Sequence, residues 1–274
     1  MSEWVLRGRE HHELAQIALH ADGDAAIALS IGGAPKCYAH TDPNEDVALL
    51  VAGDDGLLLA VADGHGGYEA AEIAIDAIRS WGAGLPASTE GTWRERVLGA
   101  LAAANRDIRS GTTGGGRRLS RTTLALARVE PAASAIRWAS IGDSHIFHAA
   151  GGVLDVAHAG GHGHPREGST YFLGFADEDG SSLADRCRIG EEPLSGTEAL
   201  VLATDGLSER GVGVDEPEDA VAAAVASAAE RPRAERAAAL ARGVVDAAIA
   251  AHRSRRSGDN VAVAAAWLAE LTDR

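Results

Sequence analysis

Short apolar runs separated by turn residues dominate the first half of the chain. Three of them, at residues 25–31, 47–51 and 57–63, are bounded by glycine or aspartate, which is typical of buried β-strands. The same pattern predicts further strands at residues 122–129, 135–141, 144–149, 153–156, 184–189, 199–203 and 261–268. Four other stretches carry apolar residues at helical spacing, and they predict helices at residues 67–81, 92–109, 216–229 and 233–252.

The order of these elements favours the α+β class. Runs of strands are interspersed with pairs of helices, rather than one strand alternating with one helix. The sequence contains no internal repeat, proline-rich linker or break in composition that would divide it. We therefore predict a single domain over residues 25–270, preceded by an N-terminal extension at residues 1–24.

A hairpin is predicted where residues 53–56, Gly-Asp-Asp-Gly, separate two apolar runs. Antiparallel pairing across this turn brings the start of the first strand beside the end of the second. Asp46 and Asp63 stand at those two positions, so we expect their carboxylates at the same end of the sheet. The glycines after Asp63 free the backbone, which allows the Gly64 carbonyl to face a cation together with the Asp63 side chain.

Two further aspartates, Asp205 and Asp259, also lie at the edge of an apolar strand and next to a small or turn residue. Each aspartate alone is most simply a turn or capping residue. If all four converge, their like charges are costly unless cations neutralise them, and Mg²⁺ and Mn²⁺ prefer such oxygen ligands. The set of four carboxylates therefore points to a divalent-metal centre.

The composition narrows the classes of function. The formal net charge of −15 argues against nonspecific binding to nucleic acid or to an anionic membrane, because their phosphates would be repelled. Cys37 and Cys187 are isolated, and two such residues do not establish a disulfide. The N-terminus is too charged for a secretory signal, and no window is long and apolar enough to span a bilayer, so we expect a cytoplasmic protein.

Residues 158–182 are rich in glycine, histidine and serine, and we expect them to form a mobile loop beside the active site. His158, His162 and His164 suggest zinc, but their spacing matches no closed zinc site and no cysteine is nearby. The sequence therefore does not favour a zinc role for this loop.

Six short motifs follow one another along the chain. They are NED at residues 44–46, DGHGG at 63–67, RTTLALA at 121–127, GDSH at 142–145, ATDGL at 203–207 and GDN at 258–260. In this order and spacing they resemble the metal-dependent type-2C (PPM) protein serine/threonine phosphatases, over about residues 25–268. The resemblance implies a four-layer αββα sandwich of two antiparallel sheets flanked by helices. It also implies two Mn²⁺ or Mg²⁺ ions at one end, with a third, weakly bound ion in some members.

The resemblance assigns the ligands of these ions to named positions. Asp63 would bridge both metals, and the Gly64 carbonyl would bind one of them. The remaining ligands would be Asp46, Asp205 and Asp259, directly or through water, with Asp143 helping to hold the third ion.

The resemblance also implies a mechanism. A metal-bridging hydroxide would attack phosphorus directly, without a phospho-enzyme, and His65 would protonate the leaving seryl or threonyl oxygen. Glu45 would support the ligands from outside, and Asn260 would orient its neighbours. The implied partners are a phosphorylated protein and the serine/threonine kinase that opposes the phosphatase.

Several positions depart from the family pattern. Many members bind substrate phosphate with an arginine where this chain has Thr41; His40 and Lys36 are the nearby candidates to replace it, unless the metals alone hold phosphate. Arg121 stands where a glycine is usual, and His145 where an arginine is usual.

Two alternatives to an active phosphoprotein phosphatase stay open. One is a regulatory or scaffold module with weak or no activity, and the other is a phosphoesterase for small molecules.

Overall fold

The computed structural model describes residues 1–36, 44–83, 92–112, 120–159, 171–174 and 181–269. The strands in these ranges are β1 (Ser2–Arg7), β2 (Ala18–Asp22), β3 (Ala25–Ser30), β4 (Val47–Gly53), β5 (Gly56–Ala62), β6 (Gly64–His65), β7 (Arg121–Thr122), β8 (Leu124–Glu130), β9 (Ala135–Ile141), β10 (His145–Ala149), β11 (Val153–Asp155), β12 (Arg188–Pro193), β13 (Ala199–Ala203) and β14 (Val261–Trp267). The α-helices are α1 (Glu69–Ala83), α2 (Trp93–Thr112), α3 (Ser181–Arg186), α4 (Pro217–Ala229) and α5 (Arg233–Arg255). None of these described helices is both long enough and apolar enough to cross a membrane.

Two six-stranded antiparallel sheets form the centre of the molecule. The first sheet has the strand order β1-β4-β5-β8-β9-β12, and the second has the order β11-β10-β13-β14-β3-β2. Helices α1 and α2 pack on the outer face of the first sheet, and α4 and α5 pack on the outer face of the second. The predicted four-layer αββα sandwich is therefore confirmed.

The central strands are buried on both faces, which explains their continuous apolar runs. In β5, Leu59 and Val61 face the other sheet, whereas Leu58 and Ala60 face α1 and α2. Strand β14 divides its small residues in the same way between the first sheet and helices α4 and α5. Because side chains alternate between the two faces of a strand, a run with no polar interruption is what such a middle strand requires.

The hairpin of β4 and β5 places the first two aspartates as predicted. Gly53 pairs with Gly56 at the turn, and Val47 pairs with Ala62 at the opposite end. Asp46 and Asp63 are the next residues beyond that last pair, so both lie at one end of the first sheet.

Residues 1–24, predicted as an extension outside the domain, instead contribute strands to both sheets. β1 pairs with β4 along its whole length, and β2 pairs with β3. Both are edge strands with mixed polar and apolar residues. An edge strand is paired on one side only, so it does not need the continuous apolar run by which the central strands were identified. Residues 1–24 therefore take part in the pairing of both sheets.

The strand predicted at residues 184–189 begins later in the structure than the sequence pattern indicates. Helix α3 occupies its first part, and the strand β12 begins only at Arg188. β12 is another edge strand, and its residues are mostly half-exposed. Gly190 lies directly under the indole of Trp138, where a larger side chain would collide, so packing rather than local hydrophobicity sets this strand.

Candidate metal centre

A pocket lies at one end of the sandwich, where several loops between the strands meet. Its described lining is strongly acidic: Glu45, Asp63, Asp143, Asp205, Glu209 and Asp259, together with Lys36, Gly64, His65 and Phe172. Glu209 and Phe172 are additions that the motifs did not indicate. Glu209 follows the ATDGL motif, and Phe172 falls within residues 158–182, the loop expected beside the active site, but only the folded chain brings these two side chains to the pocket.

The carboxylates in this pocket converge closely. One oxygen each from Asp63, Asp143 and Asp205 lies within 4.8 Å of the others. Asp46 and Asp259 lie near enough for their charges to raise the pKa of Asp63. The strands that carry these residues belong to both sheets, so the sandwich itself assembles the cluster.

Asp46 is held in place from both sides. The Thr204 hydroxyl donates a hydrogen bond to Asp46 Oδ2 at 2.7 Å, and the Ala262 N–H donates to the same hydroxyl at 2.8 Å. The backbone N–H of Asp46 donates to Asn44 Oδ1 at 3.1 Å. The other carboxylate oxygen, Asp46 Oδ1, is buried and accepts no hydrogen bond from the described residues. A buried anionic oxygen without a donor is costly, and a cation would satisfy it.

Asn260 joins three segments around the site. Its Oδ1 accepts the N–H of Glu45 at 2.9 Å, its Nδ2 donates to the Ile31 carbonyl at 3.4 Å, and its own N–H donates to Asp259 Oδ1 at 2.8 Å. These contacts fix the orientation of the segments that carry Asp46 and Asp259.

The loops at the site approach so closely that two positions must be glycine. A Cβ on Gly206 would overlap the carbonyl oxygen of Asn260. A Cβ on Gly64 would lie 2.7 Å from the Glu45 carbonyl oxygen. The glycines that follow Asp63 and Asp205 therefore let the backbones pack against each other and bring the carboxylates together.

His252 supports the Asp205 turn from behind. The ring is fully buried on α5; its Nδ1 accepts the Gly33 N–H at 3.2 Å, and its Nε2–H donates to the Gly206 carbonyl at 2.8 Å. Burial lowers the pKa of His252, so the ring is neutral when it makes these contacts. The sequence offered no signal for this residue, because its partners are far away along the chain.

The electrostatics of the pocket fit a divalent cation. Burial raises the pKa of Asp46 to about 7, although Lys36 and the Thr204 hydroxyl favour its charged form. Burial and the neighbouring carboxylates, above all Asp205, raise the pKa of Asp63 well above its ordinary value. Burial and the charge of Asp143 raise the pKa of Asp205 in the same way. All ligand atoms here are oxygens, which is the donor set that Mg²⁺ and Mn²⁺ prefer.

Lys36, predicted to bind substrate, lies among these carboxylates. Its Nζ is 3.2 Å from Asp259 Oδ1 and 3.7 Å from Glu45 Oε2, and its backbone forms a single β-bridge with Gly258. Burial alone would lower the pKa of Lys36, but the charges of Asp259 and its neighbours outweigh this effect and raise it. Lys36 thus offsets negative charge in the pocket. His40 and Thr41 lie outside the described residues.

His65 sits on the pocket wall beside two residues to which the sequence assigned no role. The short ladder of β6 and β7 pairs His65 with Arg121. The ring of Phe172 lies 5.4 Å from the His65 ring, and the Arg121 guanidinium lies 4.5 Å from the Phe172 ring centre. The unusual arginine in the third motif was the signal for this cationic wall, although its position required the fold.

The sequence and the fold match known proteins in one family. The family model described as protein phosphatase 2C matches residues 35–246. Among curated proteins, no sequence gives a significant match to this chain.

Three solved structures illustrate the shared fold. A bacterial serine phosphatase is 16% identical, with a TM-score of 0.66, covering 90% of this chain and 98% of that one. The PPM Ser-Thr phosphatase MsPP from Mycobacterium smegmatis, in complex with cacodylate, is 20% identical, with a TM-score of 0.56 and coverage of 93% and 99%. The serine-threonine phosphatase 2C from Toxoplasma gondii is 16% identical, with a TM-score of 0.64 and coverage of 97% and 99%.

The raised pKa of Asp46 predicts how the stability of the metal-free protein depends on pH. An unfolded aspartate titrates near pH ~3.9, whereas folded Asp46 titrates at about 7, so the folded state holds more protons between these values. In chelator, this residue should lower the free energy of unfolding as pH rises from about 4 to about 7, by at most about 1.4 kcal/mol per pH unit. Urea unfolding in chelator at a series of pH values measures this change in the free energy of unfolding.

Two variants isolate this contribution. Asp46→Asn should remove the Asp46 part of the slope, whereas Asp54→Asn, on the exposed β4–β5 turn, should keep the wild-type slope. Equal slopes for Asp46→Asn and the wild-type protein would show that burial does not raise the pKa of Asp46.

Proposed function

The chain belongs to the protein phosphatase 2C family, and from this membership we propose that it hydrolyses phosphoserine and phosphothreonine in proteins at the acidic pocket. The observation that carries the proposal is the convergence of Asp63, Asp143 and Asp205, together with the buried, unpartnered oxygen of Asp46. The structural neighbours include a bacterial serine phosphatase and a serine-threonine phosphatase, which agrees with this substrate class.

The proposal includes two Mn²⁺ or Mg²⁺ ions in the pocket. Asp46, Asp63, the Gly64 carbonyl, Asp205 and Asp259 would hold them, and Asp143 would help to hold a third ion. When bound, such ions lower the pKa of water and offset the charge of a phosphoryl group. Glu45 and Asn260 would keep the ligand segments in position through the backbone contacts described above.

We further propose direct attack of water on phosphorus, without a phospho-enzyme. Among the described residues that line the pocket, none carries a hydroxyl or thiol that could take the phosphoryl group, and we assign its aspartates to the metal ions and His65 to proton transfer. We assign to His65, which lines the pocket, the donation of a proton to the leaving oxygen, since an imidazole titrates near neutral pH. Its position on the exposed wall of the pocket leaves it open to a substrate.

The phosphate of the substrate needs cationic contacts in so acidic a pocket. Arg121 is the candidate that the structure adds, because its guanidinium is stacked on Phe172 at the pocket wall and its backbone pairs with His65. Lys36 could contribute once its carboxylate partners are neutralised, and His40 remains a candidate from the sequence alone. A guanidinium matches phosphate oxygens with two parallel hydrogen bonds, which makes it well suited to this role.

The cellular setting is part of the same proposal. A phosphoprotein phosphatase requires a serine/threonine kinase that supplies its substrate, and we place both in the cytoplasm. A regulatory module and a small-molecule phosphoesterase are the two alternatives to this function, and the following experiments distinguish them from it.

Metal-dependent turnover is the first expectation. The purified protein should hydrolyse an aryl phosphate with Mn²⁺ or Mg²⁺ and lose this activity in chelator, because the carboxylates alone repel the substrate. The hydrolysis rate of Asp205→Asn should fall to the rate that the wild-type protein shows in chelator. The rate of Asp54→Asn should equal the wild-type rate, because Asp54 lies on the distant hairpin turn. Steady-state rates with each metal provide the measurement.

The outcome also separates the alternatives. A folded wild-type protein with no turnover in either metal would favour the regulatory module. If turnover occurs but phosphorylated metabolites are strongly preferred over a phosphopeptide at matched concentration, the phosphoprotein proposal fails while the metal chemistry stands.

His65 should matter most when the leaving group is poor. In His65→Gln, kcat for phenyl phosphate should fall by about 10²–10⁴, because the leaving oxygen then receives no proton from a positioned acid. The loss should be much smaller for p-nitrophenyl phosphate, whose leaving group is stable as an anion. His12→Gln, on the exposed N-terminal segment, is the control. Equal losses for the two substrates would rule out the proton-donor role.

Arg121 should affect binding rather than chemistry. Arg121→Ala should raise KM for a phosphopeptide by about tenfold or more with little change in kcat, because a charged hydrogen bond contributes about 1.5–3 kcal/mol. Arg79→Ala on the outer helix α1 serves as the matched control. A fall in kcat at constant KM would contradict the assignment.

A further inference from the structure

A second group of metal-binding side chains lies outside the described lining of the acidic pocket. His145 begins β10, Asp155 ends β11, and His158 follows in the next turn. The Nδ1 atoms of both histidines lie 2.6 Å from the same oxygen, Asp155 Oδ2. One ligand atom from each of the three residues thus falls within 4.8 Å of the others.

The carboxylate of Asp155 is held firmly for this arrangement. Its second oxygen, Oδ1, accepts the N–H groups of Ile146 at 3.2 Å and Ala157 at 3.1 Å. Burial would raise the pKa of Asp155, but the hydrogen bonds from His145 and His158 outweigh burial and hold this pKa far below its ordinary value. Asp155 therefore presents one ionised oxygen, in fixed orientation, to two imidazoles.

The cluster is almost closed to solvent. The side chains of His145 and Asp155 are each 5% exposed, and that of His158 is 10% exposed. Such enclosure removes most competing water, which strengthens the interaction of a cation with these ligands. The partial exposure of His158 leaves a side from which a cation can enter.

We propose that His145, Asp155 and His158 bind a divalent transition-metal ion of the Zn²⁺ type through His145 Nδ1, Asp155 Oδ2 and His158 Nδ1. Two imidazole nitrogens and one carboxylate oxygen suit Zn²⁺, and they are poor ligands for Mg²⁺, which prefers oxygen. On binding, the two 2.6 Å contacts to Asp155 Oδ2 would open to about 3.3 Å, the ligand spacing of a tetrahedral zinc site, and a fourth position would be left for water. This site is independent of the proposed phosphatase function.

The contacts around His145 are compatible with a bound metal. To bind a metal through Nδ1, the ring must carry its proton on Nε2, and there it meets the Ser208 hydroxyl at 2.6 Å. A hydroxyl accepts a hydrogen bond as readily as it donates one, so Ser208 can accept the Nε2–H of this tautomer. An outer partner of this kind is what metal-ligating histidines usually have.

The metal would also join the site to the acidic pocket. Ser208 lies in the turn that carries Asp205, and its N–H donates to the Asp205 carbonyl at 2.7 Å. A bound ion would therefore tie the β10–β11 hairpin to this turn, which is distant from it in sequence.

Isothermal titration of the full chain with Zn²⁺, in excess Mg²⁺, tests the proposal. We expect one Zn²⁺ equivalent that is lost in His158→Ala and in Asp155→Asn, and is weakened about 10- to 100-fold in Ser208→Ala, which removes the outer partner. The same equivalent should persist in Asp205→Asn, which alters the acidic pocket, and in His12→Ala, which removes an exposed histidine. Circular dichroism confirms that each variant is folded.

Co²⁺ gives a second readout that needs no variant. Bound to the wild-type protein in excess Mg²⁺, it should show the strong visible absorption of four-coordinate cobalt rather than the weak absorption of six-coordinate oxygen ligation. Zn²⁺ should then displace it and remove the band.

Three results would overturn the proposal. The wild-type protein could bind no Zn²⁺ and give no four-coordinate Co²⁺ band, which would make the cluster a hydrogen-bond network only. His158→Ala could bind Zn²⁺ as the wild-type protein does. Alternatively, a His162→Ala/His164→Ala double variant could lose the equivalent while Asp155→Asn keeps it, which would move the site to the histidine-rich segment.

Discussion

The crowding of negative charge at one end of the sandwich is the constraint on which the site depends. Several carboxylates lie within a few ångströms of one another, and removal from water raises the pKa of Asp46, Asp63 and Asp205. This crowding costs free energy of folding. Burial of apolar side chains in two extensive sheets, whose middle strands are buried on both faces, offsets that cost. The fold thus keeps apart from bulk water a set of charges that would separate in a looser chain, and a cation is the partner that satisfies them.

Positioning in the pocket is achieved mainly by backbone contacts. Gly206 and Gly64 allow loops to touch, Asn260 joins three segments, and His252 supports the turn of Asp205 from the helix layer. Few of these contacts use charge. The carboxylates are therefore free to face the pocket, while neutral groups hold the loops that carry them.

Part of this architecture could be predicted from the sequence because it depends on local rules. The Asp-Gly hairpin fixes the register of β4 and β5, and hence the proximity of Asp46 and Asp63. The meeting of these residues with Asp205 and Asp259 requires the stacking of two sheets, which no local pattern specifies; only the resemblance supplied it.

The misplaced elements share a physical cause. β1, β2 and β12 are edge strands, whose mixed residues do not form the apolar runs that reveal a middle strand. Contacts between residues far apart in sequence were equally hidden. The hydrogen bond between His145 and Ser208 is an example, because no residue near either one in the sequence indicates that they meet.

The first and last strands of the described chain also decide where it can be cut. The part that matches the family model, residues 35–246, contains neither the first three strands nor β14. A protein trimmed to that part would lose Asp259 and the strand that joins β13 to β3, and it would leave the sides of β4 and β13 unpaired. Bare strand edges recruit other chains, so such a fragment should aggregate instead of folding. For expression, the boundaries of this unit are therefore set by strand pairing at Ser2 and Trp267, and not by the extent of sequence similarity.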